Sequence, residues 1–298
     1  MEVTNKDEVQ KIKSKYKKRS QIADVWMRLK RNKLAMLGLV ILSILVLTAI
    51  FADVIADYDT EVIKINVLER LEGPSKDHWF GTDEYGRDIF ARIVHGTRTS
   101  LFVGVISVGI ALSVGGALGS IAGYYGGRLD NAIMRVLDVL LAIPSILLSI
   151  TIVSALGPGL RNLMISVGIS NIPGFARVVR ASVLSIRDQE YIEAARAIGA
   201  KDYQIIFQHV LPNCLAPIIV LSTLKVAGAI MATAGLSFIG LGIKPPEPEW
   251  GSMLSGGRSF IRDQAHVVLF PGLAIMVTIL SLNLLGDGLR DALDPRLK

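Results

Sequence analysis

Glu193-Ala194-Ala195-Arg196-Ala197-Ile198-Gly199, followed by Leu211-Pro212, is the stretch on which the reading of this chain turns. It lies in a charged segment, residues 177–212, with long apolar runs on either side. Residues 189–200 have helix-compatible composition, and Ile192, Ala195 and Ile198/Gly199 fall on one stripe. Gly199 suits the sharp turn that a helix C-terminus favours. Asp202 is expected to cap a second short helix over 203–210, and Pro212 to introduce the next span. The pattern predicts a helix–turn–helix projecting from a membrane; an amphipathic helix lying flat between two spans is the simpler alternative.

Working outward, the chain of 298 residues is 51% hydrophobic, with a mean hydropathy of +0.48. A helix needs about 20 residues to cross the hydrocarbon layer. Residues 34–52, 101–125, 139–160 and 267–286 are uncharged. Residues 162–176, interrupted by Pro173, and 211–243, with Lys225 as its one charge, complete a predicted set of six helices. The expectation is an all-α polytopic membrane protein. The first run is too long and begins too late for a cleaved leader, so it is read as an anchor. Gly115, Gly119 and Gly123 recur every fourth residue, a spacing that lets helix backbones approach closely in lipid. That face serves either a gated bundle or ordinary packing.

Charge is uneven. Residues 1–33 hold 11 Lys/Arg against 4 Asp/Glu, so the remainder of the chain is slightly acidic in balance. A basic run at 11–19, immediately before a hydrophobic span, points to orientation and anionic lipid rather than to nucleic acid. With the N-terminus inside, the inner segments carry 21 Lys/Arg and the outer loops 10, in agreement with the positive-inside rule. Both termini are then cytoplasmic. The expected partition is a basic tail (1–33), a first anchor helix (34–56), an extracytoplasmic segment (57–96), a five-helix block (97–289) and a cytoplasmic end (290–298).

Reactive constellations are missing from the sequence. There is no His-Glu-x-x-His, no Gly-x-Ser-x-Gly and no Gly-x-x-x-x-Gly-Lys phosphate loop. His78, His95, His209 and His266 are scattered without paired ligand spacing, so no metal centre is expected. Cys214 cannot form an internal disulfide and reads as a small packing residue. Lys225 within a span implies either a place on a solute pathway or a pairing with a carboxylate or carbonyl of a neighbouring helix. Asp138, three residues after Arg135, reads as half of a local ion pair. The outer acids Asp83, Glu84, Asp88, Glu247 and Glu249 suit either a docking partner or a solvated surface.

The central stretch resembles the coupling-loop signature of membrane-spanning subunits of ATP-binding cassette importers: Glu-Ala-Ala, three residues, Gly, nine residues, Ile, one residue, Leu-Pro. Glu193, Ala194, Ala195, Gly199, Leu211 and Pro212 match at the proper spacing, and His209 replaces the Ile. His209-Val210-Leu211-Pro212-Asn213 is similar to the variant of the peptide and nickel branch. Phe80-Gly81-Thr82-Asp83-Glu84-Tyr85-Gly86-Arg87-Asp88 resembles the outer segment of that branch, and Pro245-Pro246-Glu247-Pro248-Glu249-Trp250-Gly251 its last outer loop. The chain is thus similar to the dipeptide/oligopeptide/nickel permease subunits.

This resemblance implies a type I permease fold with a cytoplasmic coupling helix, in the cytoplasmic membrane of a bacterium or archaeon. It implies a non-catalytic subunit without cofactor, ATP being bound by partners. The implied partners are a second homologous permease, two ATPase subunits, an extracytoplasmic solute-binding protein and membrane lipid. Glu193, Ala194, Ala195, Arg196, Gly199 and Asp202 would meet the ATPase. Di- or oligopeptides are the expected solutes, with nickel or glutathione-like solutes as the alternative. An ion-gradient-driven transporter is the more distant one, and the scarcity of intramembrane acids weighs against it.

Overall fold

A computed structural model describes residues 21–293. Among these, every regular element is helical, and the only β feature is an isolated bridge between Thr82 and Asp88. The basic run 11–19 and the extreme C-terminus lie outside the described residues.

Helix α1 (Gln21–Arg31) lies within the segment read as a tail, and its Leu29 packs with Ala35, Leu285 and Ala292. Asn32 then ends one helix and starts another: its Oδ1 accepts from the Ala35 amide at 3.1 Å and caps α2 (Lys33–Ile50). Leu34, Leu37, Ile44 and Leu47 form an exposed apolar face on α2, suited to lipid. Gly38 on the opposite face sits so near the last helix that an added methyl would come 2.6 Å from the Ser281 carbonyl oxygen.

After a loop of short turns, α3 (Ile89–Tyr125) begins twelve residues before the expected span, capped by Asp88, whose Oδ1 accepts from the Ala91 amide at 2.8 Å. At 1.5 Å per residue its 37 residues reach about 55 Å, beyond the thickness of the hydrocarbon layer. Gly126, at φ +66°, stops it.

The next stretch departs from expectation. Residues 139–160, read from the sequence as one span, are not a single helix. Instead α4 (Gly127–Leu141) and α5 (Ser145–Leu156) meet at an 86° bend. Pro144 has no amide to continue the first helix, and Gly157 ends the second. Neither helix is long enough to span alone.

Helix α6 (Leu160–Leu184) follows, then α7 (Glu190–Ala197), α8 (Leu211–Phe238), α9 (Trp250–Gly257) and α10 (His266–Leu293). Among the described residues, four helical runs are long and apolar enough to cross a membrane: α2, α3, Asp202–Phe238 and α10. The bent α4–α5 pair makes five when counted as one span. Helix α6, with Arg161, Asn162, Asn171, Arg177 and Arg180, is outside that set.

The most extensive helix pair is α3 with α6. Gly115, Gly119 and Gly123 form its seam, facing Ile172 and Phe175, Ala176, and Arg180 with Val183 in turn. Packing is otherwise organised in tiers. One apolar cluster joins Ile89, Ile230, Trp250 and Leu282, and a second joins Val108, Val153, Leu163, Phe175 and Leu236. A third cluster, around Val179, Val183, Ile192, Ala195, Ile205, Val210 and Cys214, supports the motif segment.

Candidate coupling site

The motif residues divide by side. Within α7, Ile192 and Ala195 point inward and are packed against Val183, Ile205 and Val210, and Ala195 is only 7% exposed. Glu193, Ala194, Arg196 and Ala197 face outward. The proposed partner surface therefore excludes the side chain of Ala195, whose smallness lets α7 lie close to the bundle.

Gly199 closes the helix. It takes φ +84°, its amide donates to the Arg196 carbonyl at 3.0 Å, and the Ala200 amide reaches back to the Ala195 carbonyl at 3.1 Å. These are the two bonds of a Schellman motif, which calls for a left-handed residue at this position. A methyl added at Gly199 would meet nothing within 4 Å, so the turn points away from the protein.

Asp202 does not cap the next helix as expected. It is the first residue of the helical turn Asp202–Gln204, and the Lys201 amide before it donates to Gln204 Oε1 at 3.0 Å. The Asp202 carboxylate instead accepts from the Tyr124 hydroxyl at 2.9 Å. Arg196 Nη2 donates to the same hydroxyl at 3.4 Å, with its guanidinium 5.7 Å from the Tyr124 ring centre. Tyr124 is the penultimate residue of α3, so a motif arginine and a motif aspartate meet at the foot of the longest helix.

Three further arginines brace the base. Arg187 Nη1 donates to the Gly123 carbonyl at 2.8 Å. Arg180 holds Asp130 of α4 with both Nε and Nη2, the latter at 2.6 Å. Arg177 pairs with Asp138 at 2.9 Å, replacing the expected Arg135 partnership: α6 lies alongside α4 and its arginine reaches the carboxylate. After the non-helical Ala200 and Lys201, the chain is helical without interruption from Asp202, since Ile205–Val210 winds as a π turn directly into α8.

The outward surface is more apolar than the motif alone implied. Ile198 is 86% exposed, Phe207 68%, and Tyr203 and Tyr191 are also exposed. Sequence reasoning missed Tyr203 and Phe207. The available signal was two aromatics spaced i, i+4 in a segment outside the apolar spans.

Lys225 is remote from this site, midway along α8. Its Nζ would lie 3.7 Å from a methyl placed on Gly174 of α6. The expected pairing with a carboxylate or carbonyl is absent among the described residues. Gly174 of the facing helix offers no acceptor side chain there.

Three of the outer acids are structural. Asp83 Oδ1 accepts from the Tyr85 and Arg87 amides at 2.8 and 3.0 Å, and its Oδ2 accepts from Arg87 Nε at 2.7 Å. Buried Glu249 caps α9 through the Gly251 and Ser252 amides, both at 2.8 Å. Asp88 caps α3 and also holds His78 Nδ1 at 2.8 Å. Burial disfavours the His78 imidazolium, but the hydrogen bond and charge of Asp88, with Glu69 behind it, outweigh this and raise its pKa.

Residues 115–298 match the family described as the binding-protein-dependent transport system inner membrane component, and residues 20–74 match the N-terminal TM domain of oligopeptide transport permease C. A dipeptide transport system permease protein of Alkalihalophilus pseudofirmus is 52% identical over 275 residues, covering 92% of this chain and 90% of that protein. A glutathione transport system permease protein of Pectobacterium atrosepticum is 46% identical over 276 residues, covering 92% and 91%. A structure of an inward-facing conformation of the MetNI methionine ABC transporter gives a TM-score of 0.57 at 20% identity, covering 69% of this chain and 98% of that one. The last likeness is one of fold, and the fold is that of a type I ABC permease. On the matched length and the identity to its relatives, the chain belongs to the family of binding-protein-dependent transport system inner membrane components.

Proposed function

We propose that this permease subunit forms, with a second homologous permease, the path by which di- or oligopeptides enter the cytoplasm, driven by two separate ATPase subunits. The peptide assignment follows the dipeptide permease relative at 52% identity and the oligopeptide-permease match at the N-terminus. Glutathione is the alternative solute, carried by the name of the relative at 46% identity. An extracytoplasmic binding protein delivers the solute. The chain spans the membrane six times, counting α6 and the bent α4–α5 pair as one span each. Both termini face the cytoplasm, and the five proposed segments keep the bounds 1–33, 34–56, 57–96, 97–289 and 290–298. No cofactor is bound by this subunit.

The motif segment is the coupling element. Glu193, Ala194, Arg196 and the Gly199 turn, together with exposed Ile198, Tyr203 and Phe207, enter a groove on an ATPase. Ala195 supports that surface from behind, and Asp202 ties it to α3 through Tyr124. The single observation carrying this reading is continuity: from Asp202 the helix runs without a break into α8, and Tyr124 joins Asp202 to α3. ATP-driven approach of the two ATPases then moves both helices as levers and turns the path outward.

Gly199→Asp tests this reading. Aspartate tolerates positive φ better than most residues, and its side chain would point into open space, so the fold should survive. The expected result is normal membrane level with uptake reduced at least about tenfold, as for loss of a buried interface contact. Wild-type uptake by this variant would refute the assignment.

A further inference from the structure

Lys225 stands at a depth where a lone charge needs explanation. At 1.5 Å per residue it is about 21 Å from Leu211 and about 20 Å from Phe238, mid-depth in a layer about 30 Å thick. Among the described residues its ammonium has neither a carboxylate within ion-pair distance nor a hydrogen-bond acceptor. Lipid does not tolerate such a group; it must meet water or an anion.

Its surroundings are open rather than packed. On α8, Gly228, Ala232 and Gly235 continue the face of Lys225 at i+3, i+7 and i+10, within one helical stripe. Methyls built on Gly228 and Gly235 meet nothing within 4 Å, whereas the same operation at Gly115 or Gly119 strikes the backbone of α6. On α6, Gly174 leaves room for the lysine side chain, and Asn171, one turn away, is partly exposed. The contrast separates a helix seam from a trough with one cation in it.

We propose that Lys225 is a carboxylate-binding residue within the translocation path, pairing with the free C-terminal carboxylate of a passing peptide. This rests on the peptide-import reading given above. A single flexible ammonium suits the task, since it attracts the carboxylate without the bidentate grip of an arginine. A transit site must bind well enough to admit its solute and weakly enough to release it.

The test uses the whole importer in proteoliposomes, comparing uptake of alanyl-alanine with that of its C-terminal amide. In Lys225→Met, carboxylate uptake should fall about tenfold and amide uptake stay within about twofold, the loss expected when one partner of a charge pair is removed. Lys225→Arg, which keeps the charge but grips the carboxylate more tightly, should give carboxylate uptake above that of Lys225→Met and below that of the wild type. Equal loss for both solutes, or no change in either, overturns the inference while leaving peptide import intact. Failure of the wild type to carry either solute overturns the peptide reading, and this assignment with it. A second measurement covers rejection of the amide by the binding protein. Lys225→Cys, in a Cys214→Ala background, should react with an anionic methanethiosulfonate, and alanyl-alanine should slow that reaction. An inert Lys225→Cys overturns the inference.

Discussion

Adding one methyl group at Gly119 should open the α3–α6 seam. A Cβ built there would lie 2.3 Å from the Ala176 carbonyl oxygen and 3.0 Å from its carbonyl carbon and Cα. Ordinary contact begins near 3.4 Å, so one helix must retreat by about 1.1 Å, and backbone cannot rotate aside as a side chain can. Overpacking of this kind costs about 1–3 kcal/mol. Against it stands the gain of about 1 kcal/mol from replacing glycine by alanine in a helix. Gly116→Ala supplies the control on the same helix, since its methyl would approach only Leu112 Cδ1, at 3.7 Å. The propensity gain is common to both variants and cancels, leaving Gly119→Ala less stable than Gly116→Ala by about 1–3 kcal/mol. Thermal unfolding of the two proteins in one detergent measures the difference. Coincident melting would refute the close-approach argument, and with it the claim that the glycine face holds α6 against α3.

Two other expectations follow from named contacts. Tyr124→Phe removes the hydroxyl shared by Asp202 and Arg196, a loss of about 1–2 kcal/mol at the foot of α3. In the assembled importer, stimulation of ATP hydrolysis by loaded binding protein should drop while basal hydrolysis persists; unchanged stimulation would show that the tyrosine transmits nothing. The raised pKa of His78 means that its contribution to the outer segment is fully present below the ordinary histidine value of about 6.5 and is lost as pH rises through the folded value. Hydrogen exchange over residues 57–88 should therefore quicken with pH beyond its intrinsic rise in the wild type but not in His78→Gln. The same pH profile in both would remove His78 from the account.

The sequence carried the features that depend on local rules. Glycines four apart predict a helix seam because only a missing side chain permits that approach, and Gly115, Gly119 and Gly123 form one. Gly199 predicts a left-handed helix stop, and it takes φ +84°. What was hidden depends on tertiary partners. Helical spacing set Ala195 on a stripe with Ile192, and both are buried, but Ile198 on the same stripe is exposed because the helix stops at Ala197. Asp202 had the right spacing for a cap, but Tyr124, 78 positions earlier, claimed its carboxylate. Pro144 lies in an uncharged stretch, and the apolar count outweighed the backbone break it imposes. Asp83 and Glu249 look like surface acids until the amides they cap are known. Lys225 left two readings open, a pathway position and a helix–helix pairing, because a sequence does not show what faces a side chain; in the fold its ammonium lies beside Gly174 of α6.

Coupling requires that an ATPase grip the Gly199 turn and the helix that begins at Asp202. Site-specific photocrosslinking from Ile198 and from Phe207, in membranes containing the full importer, tests it most directly. A covalent product with an ATPase subunit is expected from both positions, changing in yield when nucleotide is added. Products with lipid alone, or with the second permease alone, would contradict it.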